Sequence, residues 1–451
     1  MRKPTLMESI AENSLMQKIV ADYLNENLRL ETKHLTYGDG TTGSYRLKSN
    51  LTNFINNYFN PIIDVQPREI IVSSGVSGTL DQLIWTLCNE GDGILVGKPV
   101  YSGFIKDFYA RSRANAVPVS FGAIDPFSIQ ALQCYEQELV KFNNEHTHAR
   151  IQAVLLANPH NPLGRCYPRE TLVEYLKFCE KHDIHLIADE IYAMSIFRTS
   201  SNNDAVEFQS VLSINMEDIV DPMRVHVLYG MSKDFSSNGL RLGLVVSRNP
   251  QLVEAMSSIT IFSWPSAPAD LAWCIMLEDT IFLEYYISEH QKRLGEGYEF
   301  LAGILDNLGI DYARGSNAGF FLWVDLSFAL EQPEDGSEPG LTEDMRLDQK
   351  LIQNGVHLAA GLGYQAEKPG WFRMTFSQPR PLLLKGLTKM MRLLKGVDLD
   401  ILAIQGLEPK RTASHTNQRV PPSILATFRR QAPTQCFNNQ PPRKPRFLPP
   451  L

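Results

Sequence analysis

No two of the six cysteines, Cys88, Cys134, Cys166, Cys179, Cys274 and Cys436, stand at CxxC spacing. That excludes the usual zinc-site pattern and a compact disulfide framework, and it fits free thiols in a reducing, cytoplasmic setting. No apolar run reaches about 18 residues, so no membrane span is expected. The opening stretch, MRKPTLMESIAEN, lacks the apolar core of a secretory signal. There is no basic excess either. Lys and Arg number 43 against 50 Asp and Glu, a formal charge of -7, which speaks against a nucleic-acid partner. We find no internal repeat.

What is present is the composition of a globular chain, 43% hydrophobic and 21% charged. At 451 residues it is too long for one simple core. MQKIVADYLNENL reads as an amphipathic helix, and YGDGTTGSYRLKSNL as a glycine-rich loop. Seven strand candidates come next: EIIVSSG, GILVGKP, ANAVPVSF, IQAVLLANP, IHLIADE, VHVLYGMSK and RLGLVVS. Helical stretches such as SGTLDQLIWTLCNE and PRETLVEYLKFCEKH separate several of them. Apolar strands alternating with helices predict an α/β fold, a mainly parallel sheet covered on both faces. DTIFLEYYISEHQKRLGEGYEFLAGILDNLG predicts one long helix. GFFLWVDL, VHLAAG, WFRMTFS and a helix near 343–354 then predict a smaller α/β lobe. The expected organisation is an N-terminal segment, 1–30, that joins the small domain; a large domain, 31–275; a small C-terminal domain, 276–398; and a disordered tail, 399–451. From about residue 408 the chain is rich in Pro, Arg, Asn and Gln, with Glu408 its one acidic residue.

Ligands of open parallel sheets bind beyond the carboxyl ends of the strands. The residues just after each predicted strand are therefore informative. EIIVSS runs into GVSGT, small residues that let backbone N–H groups approach an anion at a helix start. GILVGKP is followed by Tyr101, which can stack on a flat ligand. IQAVLLA leads into NPHNPLG, with Asn158 and Asn161 as hydrogen-bond donors. IHLIA leads into DEIYA, with Asp189 and Tyr192. VHVLYG leads into MSKDFSSNGLRLG, with Lys233 and Arg241. Each is commonplace alone. Together they supply an anion cradle, a stacking ring, an amide, a carboxylate, a phenol, an amine and a guanidinium. That set matches pyridoxal phosphate, which needs a lysine for its Schiff base and an acid for its ring nitrogen.

The motifs ANPHNPLG, ADEIYA and SKDFSSNGLRLG resemble those of the class I/II aminotransferase family, fold type I of the pyridoxal-phosphate enzymes. AENSLM and PGWFRMTFS are similar to its aminocyclopropane-carboxylate-synthase-like branch. The resemblance covers roughly residues 5 to 395. It implies a seven-stranded large domain, a small α/β domain and a homodimer, with no nucleic-acid or membrane partner. It implies pyridoxal 5'-phosphate bound to Lys233, which then moves the substrate's α-proton. Asp189 would pair with the ring nitrogen, and Asn161 and Tyr192 would bond the ring's phenolate oxygen. Tyr101 would stack on the ring. Val76, Ser77, Ser232 and Arg241 would hold the phosphate. Arg373 would clamp the substrate carboxylate, and Glu12 lies in the substrate-side N-terminal stretch. No metal is implied.

There are departures from the family. Gly230 stands where a phosphate-binding hydroxyl is usual, and Thr41 near where a tyrosine crosses from the partner subunit. The N-terminus is shorter, and SSITIFSWPSAPAD carries no second arginine for a distal carboxylate. The implied reaction is amino transfer on an α-amino acid through external aldimine and quinonoid intermediates. Elimination, as in C–S cleavage or ring closure, and a non-catalytic homologue are the alternatives, since fold does not choose between them.

Overall fold

In a computed structural model, the described residues are 12–199, 202, 204–331, 340–397 and 399. The expected tail lies outside them except for Leu399, which is buried. All seven expected strands form: β1 (Ile70–Ser73), β2 (Gly93–Gly97), β3 (Asn115–Val119), β4 (Ile151–Ala157), β5 (His185–Asp189), β6 (Val225–Gly230) and β7 (Gly243–Ser247). They make one sheet in the order β1-β7-β6-β5-β4-β2-β3. The pairs β2–β3, β2–β4, β4–β5 and β5–β6 are parallel, while β7 runs antiparallel to both β1 and β6. Strands buried on both faces need apolar residues throughout, because successive side chains point to opposite sides. β2 illustrates this. Ile94 and Val96 join a core with Leu80, Leu83, Phe104 and Phe108 from the helices Gly75–Leu87 and Ser102–Ala110, and Leu95 between them is equally buried.

A second sheet, β8 (Phe321–Asp325), β9 (Ala359–Ala360) and β10 (Trp371–Thr375), has the order β8-β10-β9 and is antiparallel. β9 is shorter than VHLAAG suggests, since only Ala359 and Ala360 pair with β10 before the turn Gly361–Tyr364. The long helix runs unbroken over Thr280–Asn307. It packs Leu294, Leu301 and Leu305 into a core with Leu347, Leu351, Leu387 and Met391 of the helices Glu343–Gln353 and Arg380–Lys395. The N-terminal segment is tied to the end of β10, where Ser14 N–H and Oγ–H both donate to Ser377 O, at 3.1 and 2.8 Å.

One expectation is corrected. The stretch read as a loop over YGDGTTGSYRLKSNL becomes helical at Tyr45, and the helix runs over Tyr45–Tyr58. Leu47, Leu51, Phe54 and Ile55 recur at helical spacing and are buried, a pattern the three glycines before them obscure. Ser44 starts the helix by accepting from Leu47 N–H at 3.0 Å. Asp270 in turn fixes Ser44, accepting its N–H at 2.8 Å and its O–H at 2.7 Å. Among the described residues no helix is long and apolar enough to cross a membrane, and the five described cysteines are unpaired. Replacing Asp270 by Ala should remove both anchors of the cap. We expect a stability loss of about 1–2 kcal/mol, read as a lower urea midpoint with unchanged m-value.

Candidate active site

The carboxyl ends of β1, β6, β5, β4 and β2 meet on one edge of the large sheet. β7 passes between β1 and β6 and sets Gly243 opposite both Ser73 and Gly230. A Cβ on Gly243 would lie 2.3 Å from Val76 N, and one on Gly230 would lie 2.8 Å from Leu242 O. The helix Gly75–Leu87 can start directly against the strand ends only because both positions lack a side chain. Gly75 has φ +79, and a Cβ there would sit 2.4 Å from Arg241 Nη2. The Arg241 guanidinium thus lies against the first residue of the helix, held by its own Nη1–H bond of 2.8 Å to Asn238 O. A helix N-terminus and a guanidinium converging at a glycine form a seat for a phosphate. Val76 is half-buried at this seat and Ser77 is exposed.

Gly230 therefore has a reason other than weaker phosphate binding. Its lack of a hydroxyl is a packing requirement of the strand pair, with Val76 Cγ2 also only 3.1 Å from a hypothetical Cβ.

Lys233 lies three residues beyond β6, in a turn closed by Ser236 N–H to Lys233 O at 3.2 Å. Ser232 is half-buried beside it. Burial pushes the Lys233 amine down to about 8 and the nearby Arg373 adds to that, while Glu12 and Asp189 oppose it. Asp189 ends β5, in register with Ala157 of β4 and Leu228 of β6. Burial pushes its carboxyl up to about 7, against the pull of Ile191 N–H at 3.2 Å and of Lys233. Amine and carboxyl thus both change charge within reach of neutral pH.

Asn158 and Asn161 part company. Asn158 donates to Gln209 O at 2.9 Å and accepts from Tyr167 N–H at 3.1 Å. Its side chain holds the turn, so its expected role as a ligand donor is corrected. Asn161 accepts from Arg373 Nη1–H at 3.0 Å, so its side chain lies at the site. Arg373, on β10, is 3% exposed and reaches the site from the second sheet. Its guanidinium lies 5.1 Å from the Phe321 ring centre and 5.2 Å from that of Tyr364. Tyr192 packs against the edges of Phe320 and Phe321, both at 5.4 Å. Tyr101 caps the helix Ser102–Ala110, and a Cβ on Gly103 would fall 2.4 Å from its ring, so Gly103 lets the ring fold over the helix start. Glu12 Oε1 accepts from Asn238 Nδ2–H at 2.9 Å. The structure therefore brings Glu12, Tyr101, Asn161, Asp189, Tyr192, Lys233 and Arg373 together, with the Gly75–Arg241 seat at the end of the same edge. Sequence reasoning missed Tyr364, whose carbonyl accepts from Val100 N–H at 2.8 Å and whose ring walls Arg373. No spacing signal marks it, because its contacts with Val100 and Arg373 follow no helical or strand period.

Fold and site define a class of protein, and comparison with known proteins agrees. Residues 10–385 match the family model "Aminotransferase class I and II", and the chain belongs to that family. A "Probable aminotransferase gliI" of Aspergillus fumigatus is 32% identical over 80% of this chain and 82% of its own length. A "Probable inactive 1-aminocyclopropane-1-carboxylate synthase-like protein 2" of Mus musculus is 31% identical over 82% of this chain and 62% of its own. Among solved structures, a double mutant of Thermus thermophilus aspartate aminotransferase has the same fold. It has a TM-score of 0.68 and 20% identity, and the match covers 86% of this chain and 92% of that one.

The family is one of pyridoxal-phosphate-dependent enzymes. The donor set present fits that cofactor: the Arg241 guanidinium, packed on Gly75 at the start of a helix, suits a phosphate, and the buried Asp189 carboxyl beside Lys233 suits a ring nitrogen. Arg241, Val76 and Ser77 would hold its phosphate, and Lys233, Asp189, Asn161, Tyr192 and Tyr101 surround the place for its ring. Restoring the absent hydroxyl by Gly230→Ser should not tighten cofactor binding. We expect a melting temperature lowered by several degrees and a Kd for pyridoxal phosphate no smaller than wild type, measured by thermal unfolding and fluorescence titration.

Proposed function

We propose that the chain is a pyridoxal-phosphate-dependent aminotransferase acting on an α-amino acid. The observation that carries this is the convergence of a buried amine, Lys233, with Asp189 and Arg373 at one sheet edge. When bound, the cofactor supplies an electron sink for the substrate's Cα. The protein does the rest. Lys233 Nζ is largely unprotonated above about pH 8, so it can act as a nucleophile and then take and return the α-proton. Asp189, as a carboxylate, holds a positive charge on a ring nitrogen placed against it. Arg373 receives the substrate carboxylate as a two-pronged donor, its plane fixed by Asn161, Phe321 and Tyr364. The rings of Tyr101, Tyr192, Phe320 and Phe321 exclude water around these charges.

A lyase acting on a β- or γ-substituted amino acid is the second reading, supported by the similarity to a protein named 1-aminocyclopropane-1-carboxylate synthase 2 of Cucurbita pepo, 27% identical over 82% of this chain and 74% of its own length. A non-catalytic role has the Mus musculus relative named as probably inactive on its side, and the intact Lys233, Asp189 and Arg373 against it. A homodimer is proposed too. Exposed Leu35, Tyr37, Ile261 and Phe262 support it, as does a cavity of about 690 Å³ between the loop Tyr37–Gly40 and Trp264. A monomer by sedimentation would refute it. A cytoplasmic setting is proposed from the unpaired thiols.

Protein loaded with pyridoxal phosphate and freed of unbound cofactor should absorb visible light, and Lys233→Ala should abolish that band. A wild-type protein that stays colourless would overturn the enzyme reading. Holoenzyme given a panel of amino acids and S-substituted cysteines should convert to the pyridoxamine form; pyruvate and ammonia without that form would favour the lyase. Arg373→Ala should raise KM for the amino acid on the order of 100-fold, with a smaller effect on kcat.

A further inference from the structure

A buried line of hydrogen bonds connects the N-terminal segment to the residue beside Lys233, and the function proposed above uses none of its members. Asn13 Nδ2 lies 3.2 Å from His290 Nδ1. Asn13 Oδ1 is already taken by Leu15 N–H at 3.1 Å, so the amide must present its N–H to the ring, and Nδ1 accepts. Burial pushes His290 down to about 3, so the ring is neutral with its one N–H on Nε2. Nε2 is 3.1 Å from Ser195 Oγ, and Ser195 Oγ–H donates to Asp234 Oδ1 at 2.6 Å. Asp234 Oδ2 receives Met194 N–H at 2.8 Å and Tyr229 O–H at 2.9 Å. Every direction is thereby fixed, from Asn13 to His290 to Ser195 to Asp234. The four residues are 2%, 0%, 0% and 1% exposed, so water does not compete for these bonds.

A serine, a histidine and an aspartate in contact also suggest a hydrolase triad. The geometry excludes that. His290 donates to Ser195 where a general base must accept, and Asp234 bonds the serine where a triad acid bonds the histidine.

The same N-terminal segment has a second hold on the Lys233 turn. Glu12 Oε1 accepts from Asn238 Nδ2–H at 2.9 Å, and Glu12 O accepts from Ser377 Oγ–H at 2.7 Å. Four charged groups act on the Lys233 amine: Glu12 from the segment, Asp189 from β5, Arg373 from β10 and Arg241 from the loop before β7. Of the two carboxylates, only Glu12 arrives on a chain segment outside the large sheet.

Resting on the assignment of Lys233 as the cofactor lysine, we propose that Asn13, His290, Ser195 and Asp234 are positioning residues that seat Glu12 against Lys233. Docking of residues 12–13 and the proton affinity of Lys233 Nζ are then coupled. Undocking removes a carboxylate from the amine and breaks the relay at its outer end, and loss of the relay loosens the segment that carries Glu12.

The test uses the full chain loaded with pyridoxal phosphate, its visible absorption titrated against pH. Glu12→Gln should lower the midpoint by about half a unit, since a carboxylate favours the cationic nitrogen. Asn13→Ala should lower it in the same direction, and the double variant no further than Glu12→Gln alone. Ser195→Ala, which touches neither Ser14 nor Leu15, should speed hydrogen exchange of those two amides relative to amides of β4 and β5. An unmoved midpoint in Asn13→Ala, additive shifts in the double variant, or unchanged exchange at Ser14 and Leu15 in Ser195→Ala would each overturn the proposal. If Asn13→Ala does not fold, the exchange measurement decides. A wild-type chain with no visible band defeats the aminotransferase reading instead, and the exchange measurement still judges the relay.

Discussion

One ammonium group set among two guanidinium groups and two carboxylates, of which Asp189 and Arg373 are buried, is the constraint on which the rest of the structure depends. Taking such charges out of water is costly unless each meets a partner at close range. Asp189 ends β5 and Lys233 sits in the turn after the adjacent β6, while Arg373 comes from the small sheet and Glu12 from the N-terminal segment. No single element supplies the balance. The two sheets and the segment must meet at one edge for the charges to be tolerable, and that edge is where a charged, flat ligand finds its counterparts.

Backbone shape makes the meeting possible. β7 lies between β1 and β6 and presents Gly243 where a side chain would collide with the start of the helix Gly75–Leu87. Gly75 then accepts the Arg241 guanidinium where a side chain would stand. The result is a guanidinium packed directly against the start of a helix, the pairing proposed above to hold a phosphate. Aromatic packing completes the site on the other side, because Phe321 and Tyr364 restrict Arg373 to one plane while Asn161 supplies the acceptor that orients it. A guanidinium held in this way loses little further freedom on binding a carboxylate.

The relay from Asn13 to Asp234 obeys the same constraint on buried polar groups. Each donor has one acceptor and each acceptor its donor, over residues that are almost wholly enclosed. Satisfied networks of this kind specify one arrangement, because any other leaves a polar group unpaired in a medium of low dielectric. Asp234 is the chain neighbour of Lys233, so the order of the network is passed directly to the turn that presents the amine.

Much of the fold was legible in the sequence. Strands covered on both faces must be largely apolar, and the seven runs of that kind form the sheet, with the half-buried β3 at its edge. The residue types at the strand ends, and their order along the chain, were equally legible, because a Schiff-base lysine, an acid and a phosphate seat require particular functional groups. The helix Tyr45–Tyr58 was missed, since three glycines precede its apolar spacing and its capping serine is fixed by Asp270, far along the chain. Asn158 and Asn161 are alike in sequence, yet one is spent on Gln209 and Tyr167 while the other faces Arg373. Gly230 read as an absent hydroxyl and proved to be a point of backbone contact. Sequence by itself determined which chemical groups this protein can bring to a ligand. Only the tertiary structure decided which of them reach it, because hydrogen bonds and close contacts are made with partners that no spacing along the chain reveals.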